Sequence, residues 1–191
     1  MNNDLPFYFL DIDFSISDDW KKISKDVIMD RVVHVDHNAS LLGKQTRQII
    51  NEAGIDISFA YVWSWPQSEV PEYHTDAPYG VAQSAINTLL QGDSAVTQWI
   101  KPENAIRFSN HTEPGVQEGA VLWKSKTGVP DFKLSLSPNK PVLIRLDMPH
   151  VVDTTNVKQL RWCYSIRMNK KNTQDSLTWV DAKKLLLKYI L

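Results

Sequence analysis

Between residues 55 and 65 the side chains alternate: Ile57, Phe59, Tyr61, Trp63 and Trp65 are large and apolar, and Ser58, Ala60, Val62 and Ser64 fall between them. A period of two is the signature of a strand with two unlike faces, so this stretch predicts one long strand. Further strands are expected at Ser84 to Leu90, Ala95 to Ile100, Ala105 to Phe108, Ala120 to Lys124, Phe132 to Leu136, Pro141 to Leu146 and Leu160 to Met168. Turn-forming runs such as Gln91-Gly92-Asp93, Glu113-Pro114-Gly115 and Ser137-Pro138-Asn139-Lys140 separate many of them. Many short strands at this spacing predict a sandwich or a barrel.

Before residue 55 the pattern is mixed. Pro6 to Ile12 reads as an opening strand, Ser17-Asp18-Asp19 as a helix start before Trp20, and Arg31 to His37 as another extended run. Ser40 opens a helical pattern through Glu52 that stops at Ala53-Gly54. The tail from Ser176 to Leu191 sets Leu177, Val180 and Leu187 among lysines and predicts a helix packed outside the sheets. The expected organisation is one domain over 1–191: strand and helices in 1–54, a β core over about 55–168, and a closing helix over about 176–191.

Composition narrows the function classes. The 191 residues carry a net charge of −1 and a pI near 6.5, without the basic excess expected of a nucleic-acid binder. The lone cysteine, Cys163, excludes an internal disulfide framework. No apolar run approaches the ~20 residues that span a bilayer, and no basic-then-apolar leader opens the sequence. A soluble protein in the reducing cytoplasm is the expectation, with oligomeric state left open.

The chemistry concentrates in Glu72-Tyr73-His74-Thr75-Asp76. On extended backbone His74 and Asp76, two apart, project to one side and offer two metal donors. His150, in Met148-Pro149-His150-Val151-Val152, adds a second imidazole, and Arg161 opens the run Leu160-Arg-Trp-Cys-Tyr-Ser-Ile-Arg-Met168. Two imidazoles and one carboxylate suit Fe(II) and leave positions open for other ligands, although zinc accepts the same donors.

His-x-Asp, a distant His and an Arg about ten residues beyond it resemble the Fe(II)/2-oxoglutarate-dependent dioxygenases. The likeness covers roughly residues 56 to 168 and is nearest to prolyl-hydroxylase-like members, whose last core strand also opens with Arg-aromatic. It implies a mainly β fold with flanking helices, a double-stranded β-helix of the jelly-roll or cupin-like barrel type. It also implies Fe(II) on His74, Asp76 and His150, and 2-oxoglutarate with its far carboxylate on Arg161. The implied reaction takes molecular oxygen and a small-molecule or peptide substrate. It hydroxylates an amino-acid or peptidyl side chain and releases succinate and CO2.

In that fold four strands and their turns separate the ligand pair from the distal histidine, a gap of roughly 40 to 55 residues. Asp76 to His150 leaves room, whereas the rival pair His111-Thr112-Glu113 lies slightly too close to His150. The other rival, His34-Val35-Asp36, is cut off from the strand-rich region by a helix. Along the last core strand Arg161, Cys163, Ser165 and Arg167 face one way, and Trp162, Tyr164, Ile166 and Met168 the other. A barrel with helices outside would turn the polar face inward, where an arginine needs an anion. Arg161 is the first choice for the cosubstrate carboxylate and Arg167 the second. In Ser84-Ala-Ile-Asn-Thr-Leu-Leu90 either Asn87 or Thr88, but not both, faces the interior, and Asn87 is preferred. Trp63, Trp65, Tyr73 and Tyr79 flank the ligand pair as an aromatic mouth, with core filling the simpler reading for Trp63. The segments Pro66 to Pro71 and Ala77 to Gly80 read as loops over the site. The competing function is a metal- or ligand-binding cupin-like barrel without oxygenase turnover.

Overall fold

The computed structural model describes residues 4–24, 32–65, 72–76, 84–92, 95–109, 121–158 and 160–191. Among them lie the strands β1 (Phe7–Phe9), β2 (Val32–Asp36), β3 (Ile55–Trp65), β4 (Tyr73–Thr75), β5 (Ser84–Gln91), β6 (Val96–Trp99) and β7 (Ala105–Ser109). They continue as β8 (Val121–Ser125), β9 (Phe132–Ser135), β10 (Val142–Arg145), β11 (His150–Asp153) and β12 (Arg161–Lys170). The helices are α1 (Trp20–Ser24), α2 (Lys44–Glu52) and α3 (Trp179–Leu185).

The strands form two open sheets, antiparallel at every pairing, in the orders β1-β10-β5-β12-β3-β2 and β7-β8-β4-β11-β6-β9. The chain changes sheet at every step from β3 to β6 and again from β9 to β12, with β3, β5, β10 and β12 in the first and β4, β6, β9 and β11 in the second. This alternation lets residues distant in sequence meet across one interior.

The first sheet is covered on both faces, which explains why β12 is buried along most of its length. Trp162, Tyr164, Ile166 and Met168 pack with Ile50 of α2, Trp179 and Ala182 of α3 and Trp20 of α1. Cys163, with Trp63, Ala85 and Leu89, faces the second sheet and meets Trp99 and Leu134 there. The alternation read from the sequence thus separates a helix-covered face from an inter-sheet face. Trp63 belongs to this core, as its simpler reading has it.

Several boundaries differ from expectation. The helix expected from Ser40 starts at Lys44, because the Asp36 carboxylate accepts from the Ser40 and Leu41 amides at 2.7 and 2.9 Å and holds these residues in a turn. The C-terminal segment is helical only over Trp179–Leu185 and a 3-10 turn at Leu187–Tyr189. Thr178 caps α3 by accepting from the Asp181 amide. Leu177 and Trp179 are buried there, whereas Val180 and Leu187 are exposed. The opening strand shrinks to Phe7–Phe9, and β11 lies outside the strands expected from the pattern. The loops expected at Pro66 to Pro71 and Ala77 to Gly80, with Tyr79, lie outside the described residues, as do His111 and Glu113. Among the described residues no helix is long and apolar enough to cross a membrane.

Candidate metal centre

His74 sits in the middle of β4 and His150 opens β11, and the two are directly paired across the antiparallel ladder. Residues paired in this way share a face, and the imidazole centroids stand 4.8 Å apart. Asp76, two residues beyond His74, brings its Oδ1 to 3.3 Å from His74 Nε2 and 3.6 Å from His150 Nε2. Among the described residues this trio is the one group whose donor atoms gather closely enough for a metal ion, all within 4.8 Å of one another.

The two rings are aimed by their other nitrogens. Nδ1 of His74 lies 3.2 Å from the Glu72 carbonyl oxygen, and Nδ1 of His150 lies 2.9 Å from that of Met148. These contacts hold the rings with Nε2 turned toward Asp76 Oδ1. Two imidazole nitrogens and a carboxylate oxygen thus converge on one point, the arrangement that a cation's donors take. Donors held about 2.1 Å from one ion at right angles stand ~3 Å apart. The 3.3 and 3.6 Å separations from Asp76 to the two imidazoles lie near that value.

Asp76 is held from its far side. Its Oδ2 accepts from Arg167 Nη2 at 2.6 Å, and the same nitrogen donates to Tyr61 Oη at 2.6 Å. Burial alone pushes the Asp76 carboxyl toward its neutral form, but the Arg167 charge and the hydrogen bonds from His150 and His74 together outweigh it and hold the pKa well below the usual carboxylate value. The carboxylate is therefore ionised and presents one oxygen to the imidazoles. Trp99, fully buried and paired with His150 across β6, closes the apolar side of the centre.

Arg161 stands six residues from Arg167 on the same inter-sheet face of β12. It is completely buried, and none of its three guanidinium nitrogens has a hydrogen-bond partner among the described residues. The group lies 4.9 Å over the Trp63 ring. Because Trp63 pairs with Cys163 rather than with Arg161 itself, the guanidinium leans along β12 toward the metal-ligand end. Asn87 falls between Ala85 and Leu89 on the inter-sheet side, with its Oδ1 accepting from Ser165 Oγ at 2.6 Å. Thr88 takes the opposite face, opposite Tyr164.

The rival pair at His34 separates. His34 is exposed, while Asp36 is buried and fully engaged by Ser40, Leu41 and the Tyr164 hydroxyl. Tyr73 faces away from the metal centre, donating to Gln98 at 3.1 Å. Sequence reasoning missed the Arg167–Asp76–Tyr61 contact. Its only trace was the alternation that puts Tyr61 and Arg167 on inward-facing positions of their strands. No family model matches the chain, and no curated protein matches its sequence.

Proposed function

We propose that the chain is an Fe(II)- and 2-oxoglutarate-dependent dioxygenase that hydroxylates an amino-acid or peptidyl side chain, built on a double-stranded β-helix. The alternation of β3 to β6 and of β9 to β12 between two facing sheets supports the fold. One observation carries the function: Arg161, a buried guanidinium without a hydrogen-bond partner among the described residues, shares the inter-sheet face with the arginine that grips the carboxylate of Asp76. An isolated buried charge is strongly unfavourable, so the fold retains Arg161 for an anion that binds later.

The residues fit the groups the proposal calls for. His74, Asp76 and His150 would hold three positions on one side of the ion and leave the opposite side open. Arg161 offers the planar fork that matches a carboxylate in two parallel hydrogen bonds, as expected for the far end of a dicarboxylate. When bound, iron and 2-oxoglutarate together supply the oxygen activation needed to attack a C–H bond. Arg167 is engaged by Asp76 and Tyr61, which supports Arg161 as the partner of the cosubstrate carboxylate. With Oδ1 of Asn87 taken by Ser165, the amide's donor end remains for the cosubstrate. Trp63, Trp99, Leu89 and Met148 keep bulk water from the centre.

The test is succinate formation from 2-oxoglutarate by the iron-loaded protein, with His74→Ala and Arg161→Ala beside it. His74→Ala should abolish turnover, and Arg161→Ala should raise the 2-oxoglutarate requirement at least tenfold with iron affinity unchanged. Tight iron binding with no response to 2-oxoglutarate would leave the metal-binding barrel without turnover as the better description.

A further inference from the structure

The end of β5 is irregular where it meets the start of β12. Trp162 pairs with Gln91 and Cys163 with Leu89, so Leu90 is an extra residue without a counterpart. Such a bulge bends the strand that carries it and re-aims nearby groups. Gly92 follows with φ +97°, in the region that favours glycine. A Cβ at Gly92 would lie 2.5 Å from the Leu160 carbonyl oxygen and 2.9 Å from Arg161 Cα. These are backbone atoms, which cannot swing aside as a flexible side-chain tip does.

We propose that Gly92 is a positioning residue for Arg161. The bare glycine backbone, brought over by the Leu90 bulge, seats Leu160 and Arg161 so closely that β12 enters the sheet at one height. That entry sets the guanidinium over Trp63, leaning toward the metal ligands. Any side chain at residue 92 displaces the Arg161 Cα and swings the guanidinium out of reach of its anion. Gly92 touches no ligand itself. The inference rests on the cosubstrate role given above to Arg161.

The experiment measures binding of 2-oxoglutarate to the full chain loaded with Zn(II), which holds the site without turnover, by titration calorimetry. Gly92→Ala should weaken 2-oxoglutarate binding at least tenfold and leave Zn(II) affinity within twofold. Gly128→Ala is the control, because Gly128 has a similar φ of +74° but nothing within 4 Å of an added Cβ. It tests a positive-φ substitution away from Arg161, and should leave both affinities unchanged. In an Arg161→Ala background, Gly92→Ala should cause no further loss, since the residue acts only through the guanidinium. Additive losses would overturn the inference, as would a Gly92→Ala protein that binds 2-oxoglutarate normally. If Arg161→Ala itself binds 2-oxoglutarate like the wild type, the functional reading fails instead.

Discussion

A buried arginine without an anion is a local destabilisation, and Arg161 is the residue where function and stability oppose each other most directly. Replacing a buried, poorly compensated charge by an apolar side chain of similar length stabilises proteins by about 1–4 kcal/mol. Arg161→Met, which keeps the stem and can still lie on Trp63, should therefore raise the metal-free thermal midpoint by several degrees while abolishing 2-oxoglutarate binding. A lowered midpoint in scanning calorimetry would show that Arg161 is already compensated. Asp76 behaves in the opposite way, because its removal strands the Arg167 charge, a loss of about 3–5 kcal/mol. His74→Ala is thus the cleaner probe of the metal. At this scale much was legible: the spacing of His74, Asp76 and His150 selected three residues that meet. The Arg167–Asp76 contact was not legible, because it joins residues 91 apart and depends on how two sheets face each other.

Among the elements, β2 shows how a false ligand pair becomes a structural device. Asp36 ends the strand, accepts from Ser40 and Leu41 to shape the turn toward α2, and takes the Tyr164 hydroxyl of β12 at 3.0 Å. Burial pushes this carboxyl toward neutrality, but the amide and hydroxyl donors outweigh it and depress its pKa. The unfolded chain therefore binds its proton more readily than the folded one, so the stabilisation is complete above about pH 4 and disappears as the pH falls further. Asp36→Ala should cost about 2–3 kcal/mol at pH 7, because buried amides lose their acceptor. Its deficit relative to wild type should shrink toward pH 2 in urea unfolding. A deficit independent of pH would mean that packing, not the ionised acceptor, is at work. Periodicity exposed the two faces of β12 and the long β3, since each is written within one strand. The start of α2 was misplaced because Ser40 is itself a capping residue, and only the fold shows that Asp36 captures it.

For the whole molecule, the decisive property is that the three donors of the candidate metal centre come from two strands far apart in sequence. His74 and Asp76 lie at β4 and His150 on β11, and both strands belong to the second sheet, whereas the described helices pack on the first. An ion there ties together segments that the unfolded chain cannot hold in place, so binding energy becomes folding energy. At a thousandfold excess over its dissociation constant, a divalent ion should stabilise the wild type by about 4 kcal/mol. His74→Ala should lose most of that gain, while His34→Ala, at the exposed rival position, should keep it. Adding 2-oxoglutarate should raise the midpoint further in the metal-loaded wild type and not in Arg161→Met, because only the former offers the second anchor. Equal metal-induced shifts in wild type and His74→Ala, followed by thermal unfolding at several Zn(II) concentrations, would place the ion elsewhere and remove the basis for reading β4 and β11 as halves of one centre.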